Sequence, residues 1–226
     1  MSPATIHGLV WSPLGQEAID EIEALHAKAL AALPDPSLVR PETRAFFERI
    51  LGGEGEVIGA RENGRLVAYG ILQFVLEVDD DPRSLASFDE APIVKLAGAA
   101  VAPGWRGQGL QRELIRRRVA RAAERGCLQL YATAAPGNVA SWRNLLGCGF
   151  VIAALLRRYG GLLRYLLVSG ETFAPRLGVC RAEILRLEDQ HGQAAALAAG
   201  RRGIAAVQDA GGRPCLVFAD RGEPHV

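Results

Sequence analysis

The sequence predicts an α/β (α+β) fold, and three observations carry that prediction. An apolar run, Ile93 to Ala100 with only Lys95 charged, leads through a glycine-containing turn into Glu113–Arg125. There Leu114, Ile115, Val119 and Ala122 recur near helical spacing. Strand-like runs flank Asn63-Gly64 and Gly160-Gly161, the signature of hairpins and so of antiparallel ladders. Helical patterns at 16–33, 41–51 and 138–146 alternate with those strands, which supplies the layers that cover a sheet.

Taken in order, Ala4 to Trp11 has strand character. From Gln16 to Leu33, Ile19, Ile22, Leu25, Ala29, Leu30 and Leu33 trace one helical face, and Pro34 lies just past its end. Pro41 suits the first turn of a second helix bearing Phe46, Phe47, Ile50 and Leu51, which Gly52-Gly53 stops. Glu56–Arg61 and Leu66–Val78 form a hairpin about Asn63-Gly64. On its second strand Leu66, Ala68, Leu72, Phe74, Leu76 and Val78 are expected on one face. Asp79-Asp-Asp81-Pro82 ends that strand. After the central strand, turn and helix, Gly126 closes the helix and Cys127–Thr133 reads as another strand. Asn138 is placed to N-cap a short helix reaching Leu146, and Val151–Tyr159 with Leu162–Val168 makes a further hairpin.

Bulk properties exclude several classes. The 226 residues suffice for a full core, as one domain with an appendage or as two small domains. Lys+Arg 26 against Asp+Glu 25 leaves the charge near zero, so no nucleic-acid partner is implied. No charge-free apolar run approaches the ~18 residues that would span a bilayer, and Met1–Val10 lacks the pattern of a signal peptide. Cys127, Cys148, Cys180 and Cys215 are scattered, which suggests reduced, mostly buried thiols in a cytoplasmic protein. His7, His26, His191 and His225 have no ligand spacing, so no metal site is expected.

The turn Val101-Ala-Pro-Gly-Trp-Arg-Gly-Gln-Gly-Leu-Gln-Arg112 carries the functional signal. Gly107 and Gly109 let a ligand approach the backbone, and the first N–H groups of the following helix lack partners within it at the positive end of its dipole. A phosphate is the natural guest. A nucleotide P-loop would need GxxxxGK[ST], but Leu110 follows Gly109; a dinucleotide fingerprint would need a third glycine where Arg112 stands. Arg106-Gly-Gln-Gly-Leu-Gln111, preceded by Val101-Ala-Pro103, resembles the [Gln/Arg]-x-x-Gly-x-[Gly/Ala] acyl-CoA turn of the GNAT superfamily of N-acetyltransferases, with Gln111 where glycine or alanine is commonest. Asn138-Val-Ala-Ser141 followed by Gly149-Phe150 is similar to the family's Asn-x-x-Ser…Gly-Phe helix. The element order of residues 4–168 matches as well.

The resemblance implies a GNAT fold: a central mixed, mostly antiparallel sheet, splayed at the acyl-CoA cleft, with helices on both faces. It makes residues 1–170 the acetyltransferase domain and acetyl-CoA the co-substrate. Backbone groups of Ala99, Ala100 and Val101 would hold the pantetheine, with the Val101 N–H polarising the thioester carbonyl. The pyrophosphate would lie on the amides of Arg106, Gly107, Gln108, Gly109, Leu110, Gln111 and Arg112, and Asn138 and Ser141 would contact the pantetheine arm. The six arginines at 112, 116, 117, 118, 121 and 125 are expected chiefly on a solvated face, with Arg112 the nearest to a phosphate. No carboxylate lies on strand 93–101, so Glu77 becomes the candidate base, acting through water. The run Asp79, Asp80 and Asp81, with Asp89 and Glu90, could attract a cationic substrate. Where many members have a tyrosine acid, this chain has Leu145. Ser141 or a water then protonates the thiolate, or it leaves unaided, or transfer is slow or lost. The implied function is acetyl transfer to a primary amine of a small molecule or a protein, by direct attack in a ternary complex. The alternative is a catalytically silent acyl-CoA-binding module.

Residues 171–226 lie beyond the resemblance. Arg181–Leu187 is strand-like, Asp189–Arg201 helix-like, and Ile204–Gln208 with Pro214–Ala219 forms a hairpin. This extension is too apolar for a disordered tail, and it is expected to pack on the core or on a second subunit of a homodimer.

Overall fold

The computed structural model describes residues 8–83, 88, 91–169 and 182–220. The chain divides into two compact units, residues 1–81 with 92–128, and residues 82–91 with 129–226.

In the first unit β1 (Val10–Leu14) is followed by a 3-10 turn, Gln16–Ala18, and by α1 (Ile19–Ala31). Then come α2 (Arg44–Arg49), β2 (Gly55–Glu62), β3 (Arg65–Gln73), β4 (Ile93–Val101) and α3 (Leu110–Glu124). The strands lie in the order β1-β2-β3-β4, each antiparallel to the next. Asn63 and Gly64 both have positive φ, 48° and 81°, as a two-residue hairpin turn of mirror-image type requires. Ile22, Leu25, Phe47 and Ile50 of the α1–α2 side pack with Tyr69 and Ile71, whereas Leu110 and Leu114 of α3 pack with Val67 and Ala68. Helices thus cover both faces of β3.

Within the first unit, the start of the second helix, the end of β3 and one strand face depart from the sequence expectation. The second helix begins at Arg44, not Pro41, because Thr43 is the N-cap and its hydroxyl accepts the Phe46 N–H at 3.2 Å. The strand expected to reach Val78 ends at Gln73, because the Phe74 and Val75 N–H groups both bond the Glu54 carbonyl and the chain leaves the ladder. Val78 is accordingly 93% exposed. The expected single face of Leu66 and Ala68 also fails: the ladder shifts between Ala60 and Arg61, leaving Val67 as an extra residue. That bulge turns Leu66 toward α1 and Ala68 toward α3.

The second unit contains β5 (Gln129–Ala134), α4 (Val139–Leu146), β6 (Val151–Arg158), β7 (Leu162–Ser169), β8 (Ala182–Arg186), α5 (Gln190–Ala198), β9 (Arg202–Gln208) and β10 (Pro214–Ala219). Their order is β5-β7-β6-β9-β10-β8, again antiparallel throughout. The extension joins this sheet where Ile152 of β6 meets Gly203 of β9. A Cβ on Gly203 would lie 3.0 Å from Ile152 Cβ, so a larger residue there would push β6 and β9 apart by a few tenths of an ångström. Tyr165 donates its hydroxyl to Gln193 Oε1 of α5 at 2.7 Å, both side chains fully buried. Leu216 and Phe218 are buried, but Ile184 on the edge strand β8 is exposed, because β8 has only β10 as a neighbour.

Candidate active site

The turn after β4 begins with two tight bonds, Trp105 N–H to Ala102 O and Arg106 N–H to Pro103 O. Gly107 and Gly109 have φ of 79° and 86°, and a Cβ on either would meet nothing within 4 Å. Gly109 is the N-cap of α3 and offers no side chain to its amides. The Glu113 N–H is the one that bonds the Gly109 carbonyl, so the amides of Leu110, Gln111 and Arg112 precede the intrahelical ladder. This open backbone cradle at a helix N-terminus fits a pyrophosphate in shape and sign. Arg106 braces the turn: its amide bonds Pro103 O, and its guanidinium bonds the carbonyls of Ala29 at 3.1 Å, Ala32 at 3.5 Å and Val101 at 3.4 Å. It ties the turn to β4 and caps the negative end of α1. Gln108 Nε2 bonds the Gly104 carbonyl at 3.3 Å.

The arginines of α3 do not share one solvated face. Arg121 grips Glu56 with Nε and Nη2 at 2.6 and 3.0 Å, and Arg125 also binds that carboxylate. These bonds, Arg121's foremost, hold the Glu56 carboxyl below its usual range. Arg117 lies over the Trp11 ring at 4.3 Å. Arg118, only 2% exposed, crosses to the sheet, where its guanidinium donates to Leu114 O at 3.1 Å, Ile71 O at 3.2 Å and Ala97 O at 3.4 Å. A Cβ on Gly70 would lie 2.8 Å from Arg118 Nε. Gly70 is therefore the gap that admits this side chain, which spacing along α3 cannot reveal.

Arg118 reaches β4 at an irregularity. Gly70 pairs with Ala99 but Leu72 with Leu96, so Ala97 and Gly98 stand opposite Ile71 alone, a β-bulge. Beyond it Ala99, Ala100 and Val101 return to the ladder. The Ala102 N–H bonds Val67 O of β3 at 2.9 Å. Because N–H groups alternate along a strand, the Val101 N–H points away from β3.

On the α2 side of the bulge stands Glu42, which sequence reasoning passed over because it lies in the connection before α2. A Cβ on Gly98 would lie 3.3 Å from Glu42 Cγ and 3.7 Å from its Oε1. Its backbone N–H donates to His26 Nε2 at 3.0 Å, and His26 Nδ1 is 2.8 Å from the Tyr69 hydroxyl. An Nε2 that accepts leaves the proton on Nδ1, and burial, which lowers the His26 pKa, favours that neutral ring. Burial also pushes the Glu42 carboxyl above its usual range, against the opposing pull of Lys95 and Arg40. Lys95 forms a buried pair with Asp80. Gln73, opposite Lys95 on β3, gives its Nε2 hydrogen to Val75 O at 3.0 Å, while its buried Oε1 has no hydrogen-bond donor among the described residues.

Glu77 follows the end of β3, with its side chain 53% exposed and its Oε1 2.9 Å from Arg49 Nη2. Asp89 and Glu90 lie outside the described residues, as do Cys180, His7 and His225. In the second unit Asn138 N-caps α4, its Oδ1 accepting the Ser141 N–H at 3.3 Å. Leu145 is buried on the same helix, and Cys127 and Cys215 are buried thiols. No helix among the described residues is long and apolar enough to cross a membrane.

Residues 21–150 match the family model described as Acetyltransferase (GNAT) family. No curated protein matches the sequence. Among solved structures, the ribosomal-protein-S18-alanine N-acetyltransferase of Escherichia coli is 19% identical, with 75% of this chain and 98% of that chain covered and a TM-score of 0.56. Arabidopsis thaliana NAA60 in complex with acetyl-CoA is 18% identical over 71% of this chain and 97% of that one, with a TM-score of 0.55. An N-acetyltransferase from Staphylococcus aureus is 15% identical over 72% and 97%, at 0.54. These likenesses are of fold. Since the matched span covers more than half of the chain and contains the cradle, the chain belongs to the acetyltransferase (GNAT) family, and it is an acyltransferase with acetyl-CoA as co-substrate.

Proposed function

We propose that this protein transfers an acetyl group to a primary amine of a small molecule or a protein, by direct attack in a ternary complex. The observation that carries the reading is the cradle of Gly107 and Gly109 at the start of α3, immediately after a strand whose last N–H points away from its neighbour. Acetyl-CoA, when bound, supplies the acetyl group as a thioester. The amides from Gly107 to Arg112 take its pyrophosphate, and backbone groups of Ala99, Ala100 and Val101 hold the arm. The Val101 N–H donates to the thioester oxygen. Such a fixed donor favours the charge that develops during acyl transfer. Asn138 and Ser141 are assigned to the pantetheine through the Asn-x-x-Ser motif. Ser141 is also the candidate proton donor to sulfur, in place of the tyrosine that Leu145 replaces. A cytoplasmic setting belongs to the same proposal and is supported by the buried thiols of Cys127 and Cys215.

The test is thiol release from acetyl-CoA over a panel of primary alkylamines and peptides with a free α-amine, beside a binding titration with CoA. CoA binding with amine-dependent release is expected. CoA binding without release from any amine would leave the cradle intact and overturn the transfer to amines.

A further inference from the structure

We infer that Glu42 is the proton acceptor for the incoming amine and that the Gln73 carbonyl oxygen receives one of that amine's N–H groups; this rests on the transferase reading above. The two groups share a face. Tyr69, Ile71 and Gln73 alternate onto the α2 side of β3, and Glu42 reaches the same side, beside Gly98 and the Ile71 side chain. Gly98 precedes Val101 by three residues, at most about 10 Å along a strand. An amine beside Glu42 is therefore within one small molecule's length of the amide that polarises the acetyl group.

The surroundings fit a base. The bond from the Glu42 N–H to His26 fixes the backbone, with His26 held in turn by Tyr69, so the carboxylate is preorganised. The charged and titratable groups that face it are His26 of α1, Arg40 of its own loop, Tyr69 of β3, Lys95 of β4, and Glu77 and Asp80 beyond β3. Their sum with burial leaves Glu42 more basic than an ordinary carboxylate, which is the direction a general base near neutral pH requires. With no donor to it among the described residues, the buried Gln73 oxygen is an acceptor that an amine N–H would satisfy.

The step balances as follows. The ammonium gives one proton to the Glu42 carboxylate, which leaves a lone pair on nitrogen. That pair forms the C–N bond while the C–S pair departs on sulfur. The second nitrogen proton passes to the thiolate, and Glu42 returns its own to solvent.

Glu42→Gln in the full chain tests this. It is expected to keep CoA affinity and to lower amine-dependent thiol release at neutral pH by about 100-fold or more. The gap to wild type should narrow as pH approaches the amine's own pKa. Glu42→Asp should restore part of the rate. A merely structural carboxylate would leave the pH profile of release unchanged, whereas the burial of Glu42 carries a stability signature of its own. With its folded pKa raised, Glu42 contributes stability below the unfolded carboxyl pKa of ~4.3 that is lost as pH rises through the folded value. Glu42→Gln should therefore melt no lower than wild type at pH 7. An unchanged rate and pH profile in Glu42→Gln, or loss of its CoA binding, would overturn the inference. Absence of release from the wild-type protein would overturn the transferase reading instead.

Discussion

Replacing Gly109 by glutamate separates the two demands placed on this turn. At φ 86° any side chain costs about 1–2 kcal/mol of backbone strain. In a chain of this size that lowers the melting temperature by roughly 2–8 °C. Gly109→Ala incurs that cost alone, because a Cβ there meets nothing within 4 Å. Gly109→Glu adds a negative charge. A carboxylate about 5 Å from one phosphate charge, at an effective dielectric of ~20, costs roughly 3 kcal/mol, or about 200-fold in Kd. The assay is a CoA titration of both variants at low salt and near ~1 M, where the Debye length falls to ~3 Å. Similar melting temperatures are expected for the two. The glutamate variant should lose CoA affinity on the order of 100-fold at low salt and recover part of the gap at high salt. Equal affinity in two folded variants would refute the assignment of the pyrophosphate to this backbone.

Three further outcomes follow from side-chain contacts. Arg118→Met strands the Ile71 and Ala97 carbonyls, so thermal unfolding should report a loss of about 2–4 kcal/mol. Glu77→Gln breaks an exposed pair with Arg49 worth ~0–1 kcal/mol, so its melting temperature should stay put; a rate loss as large as that of Glu42→Gln, in the same thiol-release assay, would return the base to Glu77. Deleting residues 171–226 strips β9 from β6 and leaves the buried Tyr165 hydroxyl without Gln193. Aggregation or a lowered melting temperature is expected, and an unchanged melting curve with the same mass in solution would show the extension to be dispensable.

Much of the chain was legible because local signals and tertiary demands agree. Asn63-Gly64 can take positive φ at little cost, so its hairpin forms wherever the strands go. Asn138 caps α4 through its own side chain, and Gly107 with Gly109 marks a backbone that must stay open. These are short-range facts, written in consecutive residues.

What the sequence could not disclose depends on residues far apart in it. Arg118 looks like its five neighbours along α3, and only the absence of a Cβ at Gly70, 48 positions earlier, makes room to bury it. The end of β3 is decided by the Glu54 carbonyl, which takes two N–H groups from the ladder. Glu42 sits in a connection with no motif, and its basicity comes from burial beside the β4 bulge, which outweighs the opposing pull of Lys95 and Arg40. The sequence by itself determined the class of fold and the backbone turn at its centre, because glycine freedom and helix ends are local properties. Which carboxylate is desolvated, and which arginine is removed from water, only the tertiary structure decided, because burial belongs to the packed sheet and helices and not to any stretch of chain.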